Sequence, residues 1–86
     1  MNIIKITGAQ GAGKSEALGH LAELHQSTVI TGALLMAALP LLNTRTSALA
    51  LNTFVDDVQP EMLPKVTKLA KLYPATYRVY LAGRDI

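Results

Sequence analysis

Eight consecutive residues, Gly8-Ala9-Gln10-Gly11-Ala12-Gly13-Lys14-Ser15, bring together three glycines, a lysine and a hydroxyl. Glycine lets a backbone turn tightly enough for successive N–H groups to point inward, and such a nest of amides holds an anion. Lys14 adds a full positive charge beside that nest, and Ser15 adds a hydroxyl oxygen. A helix starting at Gly13 or Lys14 would aim its positive N-terminal end at the same anion. Together these residues offer the chemistry of phosphate capture.

The stretch fits G-x-x-x-x-G-K-[ST] at every fixed position. It resembles the Walker A motif of the P-loop NTPase superfamily. That resemblance implies ATP or GTP as ligand and Mg²⁺ as cofactor. The phosphate-binding set is then Gly8, Ala9, Gln10, Gly11, Ala12, Gly13, Lys14 and Ser15. Lys14 serves the β- and γ-phosphates, and Ser15 offers its hydroxyl to magnesium. An apolar strand before the motif and an amphipathic helix after it are the context that the motif requires.

The same superfamily carries a second apolar strand that ends in a magnesium-holding acid. Phe54-Val55-Asp56 resembles it, although Asn52 and Thr53 make its start polar. Asp56 is therefore expected at the metal. In the branch with an extra strand between the two Walker strands, a second acid commonly follows and polarises the attacking water. Asp57 stands there, where the family more often has the longer Glu. The other use of Asp57 is as an N-terminal acid for a helix near Pro60, and the two readings weigh equally.

Other charged residues have weaker claims. Arg84 follows the last strand, on the rim where ligands of open α/β sheets sit, and could reach a terminal phosphate. A solvated chain end is the preferred reading. Arg45, in a polar loop, is a comparable candidate for a charge supplied to another active site. Thr31 and Gly32 share the strand-end rim, and ordinary strand termination explains them. Lys65, Lys68 and Lys71 read as a solvated helix face. His20 and His25 are spaced five apart rather than the four of a helical metal pair, so neither is assigned a role.

Positioning these residues requires strands alternating with helices. Asn2–Thr7 reads as a strand, apolar on both faces as in a covered parallel sheet. A helix follows to about Leu24, with Leu18, Leu21, Ala22 and His25 on one stripe and Glu16 and Glu23 off it. Gly19 inside that helix would allow close packing on the sheet. Ser27–Thr31 is a second strand, Ala33–Leu39 a helix ending near Pro40, and residues 43–47 a polar loop. Asn52–Asp57 is the third strand. Pro60 suits a first helical position, and Met62, Leu63, Val66, Leu69, Ala70 and Tyr73 form the next stripe, whose regular helix begins near Pro64. Tyr77–Ala82 is the fourth strand and could insert between the first and third. The alternation predicts an α/β fold: a small parallel sheet of about four strands with flanking helices.

Composition narrows the field. The chain has 86 residues, predicting one domain over 1–86. Charged residues are 16% of the chain and half the residues are hydrophobic, so a packed core is expected rather than disorder. With no cysteine, disulfides and thiol chemistry are excluded. A net charge of +2 does not indicate nucleic acid as a partner. The N-terminus lacks a signal-peptide pattern, and the longest apolar stretch, Gly32 to Leu42, is too short to span a bilayer. No membrane partner and a cytoplasmic location are expected. The 32–42 segment reads as a buried helix or, with an exposed sheet edge, as a surface for a homo-oligomer.

These features predict Mg-dependent binding and hydrolysis of a nucleoside triphosphate, with Lys14 and Asp57 as the catalytic residues. Two alternatives stand beside it. One is a nucleotide-binding switch or assembly module with little turnover. The other is a small-molecule kinase, which the absence of any stretch long enough for a lid disfavours.

Overall fold

The order of elements follows the apolar pattern closely. The computed structural model describes residues 1–42 and 50–86. Strand β1 spans Asn2–Lys5, helix α1 Lys14–Leu24, β2 Val29–Thr31, α2 Gly32–Leu42, β3 Asn52–Asp56, α3 Leu63–Ala70 and β4 Arg78–Leu81, with one 3₁₀ turn over Pro60–Met62. Each strand is one or two residues shorter than the stretch read from the sequence. Arg45 and the polar loop at 43–47 lie outside the described residues.

All four strands are parallel, in the order β1-β4-β3-β2. β4 thus lies between β1 and β3, the insertion expected of Tyr77–Ala82. Asn52 and Asn2 both align with Arg78, so β3 and β1 reach the same level on either side of β4. Parallel strands all point one way, so their carboxyl ends and the loops that follow share one rim.

Alternation along the strands sends side chains to two separate cores. Phe54 and Ala82 pack with Leu18 and Ala22 of α1, and Tyr80, Ile6 and Leu21 join them. Phe54 stacks on Tyr80 with ring centroids 4.7 Å apart. Val55, Val79 and Leu81 belong to the other core, with Leu35 of α2 and Val66 and Leu69 of α3. Each fully buried Leu, Val or Phe contributes about 1.5–3 kcal/mol to burial. The stripes read from the sequence are the buried ones, except that His25 is exposed and tilts against Phe54 at 5.5 Å.

Three expectations change. Among the described residues β1 is an edge strand, and its two apolar faces are not both covered: Ile3 packs on the α3 side, while Ile4 is 36% exposed. Gly19 has no atom within 4 Å of where a side chain would begin, so close packing does not explain it. α2 begins at Gly32 and its backbone stays helical through Pro40 to Leu42. Within it Leu35 is buried but Leu34 is 54% exposed. The Pro64 expectation holds within a residue, because α3 starts at Leu63 with the proline in its first turn, where a missing N–H costs nothing.

The two ends of the chain's first strand are tied down differently. The Met1 ammonium donates to the carbonyls of Ala70 (3.0 Å) and Tyr73 (2.7 Å), where a cation meets the negative end of α3. The far end runs into the glycine loop. Among the described residues no helix is long and apolar enough to cross a membrane.

Candidate functional site

The glycine loop leaves β1 and turns back on itself, with the Ala12 amide donating to the Ala9 carbonyl at 3.0 Å. Gly11 and Gly13 have φ of 84° and 87°, a left-handed backbone that residues with a Cβ rarely adopt. Gly13 is the N-cap of α1 and provides no side-chain capping bond. The amides of the first helical turn have no intrahelical acceptor by helix geometry. They belong to residues that line a cavity of about 570 Å³ at the carboxyl rim of the sheet.

Four segments build that cavity. The loop supplies Gln10, Gly11 and Gly13, and the first turn of α1 supplies Lys14, Ser15 and Glu16. The end of β3 supplies Asp56 and Asp57, and the segment after β4 supplies Gly83 and Arg84. Gly8, Ala9 and Ala12, expected in the phosphate-binding set, shape the loop but do not line the cavity. The charged lining consists of Lys14 and Arg84 against Glu16, Asp56 and Asp57.

Hydrogen bonds join the segments across the sheet. Ser15 Oγ donates to Asp56 Oδ1 at 3.0 Å. The same carboxylate oxygen accepts the Asp57 amide at 2.8 Å, which holds its orientation. Lys14 Nζ donates to the Gly83 carbonyl at 2.6 Å, so the lysine crosses from α1 to the end of β4. Asp57 itself has φ of 55°, a left-handed conformation that Asp tolerates better than most residues. Its side chain does not cap the turn that follows: Gln59 is the N-cap there, again without a side-chain bond.

The donor set fits magnesium. Two hard oxygens, the Ser15 hydroxyl and an Asp56 carboxylate oxygen, lie 3.0 Å apart. Among the described residues no group of three or more His, Cys, Asp or Glu gathers for a metal. Two protein oxygens suffice for a cation that keeps water and takes phosphate oxygens as its other ligands.

Several residues stand differently here than the sequence implies. Arg84 is exposed, as expected of a solvated chain end, and it also lines the cavity. Thr31 stays ordinary: its Oγ1 accepts the Leu34 amide at 3.1 Å and starts α2. Lys65, Lys68 and Lys71 are exposed. Glu16 and Gly83 are site residues that sequence reasoning passed over. Glu16 was legible as an acid in the first turn of a helix whose N-terminus offers an anion site. Gly83 was legible only as a glycine after a buried strand. Compared with family models, curated proteins and solved structures, the chain matches none.

Proposed function

We propose that the chain binds a nucleoside triphosphate, ATP or GTP, with Mg²⁺ in this cavity and hydrolyses its terminal phosphoanhydride bond. The observation that carries the reading is the 3.0 Å contact between Ser15 and Asp56, residues from the loop and from the acid-ended strand. It unites a phosphate-type loop with a metal-type carboxylate although a whole strand separates β1 from β3.

Each residue then has one task. The loop amides and the N-terminus of α1 receive the phosphate oxygens. Lys14 releases the Gly83 carbonyl and turns its ammonium to the β- and γ-phosphates, where negative charge grows during transfer. Ser15 and Asp56 hold the metal ion, which when bound neutralises charge on the phosphate oxygens. Asp57 orients a water for in-line attack on the terminal phosphorus and accepts its proton as the bridging oxygen leaves with the diphosphate. Arg84 lies within the same cavity and adds positive charge on its β4 side.

Release of inorganic phosphate from Mg·ATP or Mg·GTP, with no acceptor present and abolished in Lys14→Ala, is the expected result. Tight binding without turnover would assign the chain to the switch or assembly class. Transfer of the labelled phosphate to an added nucleoside would assign it to the kinases.

A second reading, self-assembly, draws on the apolar surface. Leu34 on α2 is 54% exposed, and among the described residues no strand pairs with the outer edge of β1. Large exposed apolar side chains with an unpaired strand edge favour contact between copies. Molar mass measured by light scattering, with and without nucleotide, tests it. A monomer under both conditions would remove the assembly reading.

A further inference from the structure

One face of the sheet is covered over only half its width. The buried residues of α2 and α3 belong to the other core, so among the described residues α1 is the helix on the face of Phe54 and Tyr80. It packs chiefly over β3 and β2. A helix about 10 Å across spans two strands set about 4.8 Å apart, which leaves the β1–β4 half as a step beside it. Parallel sheets normally have both faces covered. Alternation places Ile4 and Tyr80, aligned with each other, on the floor of that step, and Arg78 two residues before Tyr80 on the same face. Ile4 is 36% exposed and Arg78 is exposed, and among the described residues no acid pairs with the guanidinium.

The chain itself carries an element that fits the step. The outer side of α1 presents Leu24, 79% exposed, beside the exposed acid Glu23. His25 at the end of this helix lies 5.5 Å from Phe54 and 6.2 Å from Tyr80. That end of α1 therefore stands level with the row that Ile4, Tyr80 and Phe54 form across the sheet. A twofold axis parallel to the strands, set between two facing sheets, keeps this level and exchanges the covered half for the open one. Each α1 then enters the other copy's step, with Leu24 over Ile4 and Tyr80 and Glu23 toward Arg78.

We propose that this face is a homodimer interface, its occupant the α1 helix of a second copy of this chain. The surface complements itself in shape, apolar content and charge, which an interface between identical patches requires. It is a different surface from Leu34 and the outer edge of β1, so it goes beyond the assembly reading above. The axis leaves the strands of both copies pointing one way, and both rim cavities open at the same end of the dimer.

Sedimentation equilibrium of the full chain over a range of concentrations tests it. The wild type should reach twice the 9.2 kDa of one chain. Arg78→Glu and Glu23→Arg should each weaken association by about tenfold or more, because each reverses a charge at two symmetry-related contacts. The two together should restore it to within about threefold of the wild type. Leu24→Ser should also weaken it by about tenfold. All three side chains are exposed in the single chain, so circular dichroism should stay that of the wild type. Single reversals that weaken association without recovery in the double variant overturn the pairing of Glu23 with Arg78, and the arrangement with it. A dimer indifferent to both reversals but dissociated by Leu34→Ser overturns the inference and leaves the assembly reading standing. A monomer at every concentration overturns both.

Discussion

Gly83 passes so near Val58 that a Cβ on it would lie 2.8 Å from the Val58 nitrogen and carbonyl carbon, and closer still to the oxygen. Only a glycine lets the chain leave β4 along this path. The Val58 amide donates to the Ala82 carbonyl at 3.0 Å, so the segment after β3 is bonded to the end of β4 beside this contact. The arrangement sets the position of two site features, the carbonyl that receives Lys14 and the side chain of Arg84.

Gly83→Ala should therefore act on both stability and the site. Overpacking against backbone costs about 1–3 kcal/mol, because main-chain atoms give way less readily than a side-chain tip. Urea unfolding should show a lower midpoint, and Mg·nucleotide affinity should fall with it. A midpoint equal to the wild type would mean that the two segments separate at no cost.

Lys14→Ala should separate affinity from folding. The lysine is half-buried and donates to the Gly83 carbonyl, so its loss should change stability by about 1 kcal/mol. Loss of a cation from the phosphates should weaken Mg·ATP binding by roughly a hundredfold or more. Unchanged binding in calorimetry would count against the cavity as the nucleotide site.

Asp57→Asn keeps the shape of the side chain and suits the left-handed backbone at φ 55°. Its proton-accepting ability is gone. Phosphate release should drop by about a hundredfold or more while the Kd for Mg·ATP stays within about threefold. Turnover at the wild-type level would move water activation to another group.

Phe54→Ala tests the core under the site. Phe54 has no exposed surface and stacks on Tyr80 at 4.7 Å. Truncation of a buried Phe costs about 3–5 kcal/mol, a large share of the stability of so short a chain. Far-UV circular dichroism at 25 °C should report a largely unfolded variant. A cooperative transition near the wild-type temperature would mean that the α1-side core carries little of the fold.

Much of this fold was legible because its signals are local. The apolar run at Ile3, Ile4 and Ile6, the helical stripe through Leu18 and Ala22, and the prolines at 60 and 64 each report backbone preference over a few residues. So did the loop-to-helix junction at Gly13 and Lys14, where α1 begins. Gly19 and Ile4 misled for one reason: periodicity says that a face is apolar, not that something lies against it. The edge position of β1 decides the second case.

By itself the sequence determined the succession of strands and helices, and the concentration of glycine, lysine and serine in one turn. It also determined that two carboxylates stand together at a strand end. The sequence allowed the fourth strand to insert between the first and third; tertiary structure puts β4 there and brings Ser15 to Asp56. It alone brought Glu16 and Arg84 to the same cavity. The physical reason is range. Backbone freedom and side-chain period act over a helical turn or a strand. A hydrogen bond between residues forty-one positions apart depends on how every strand between them is stacked and aligned.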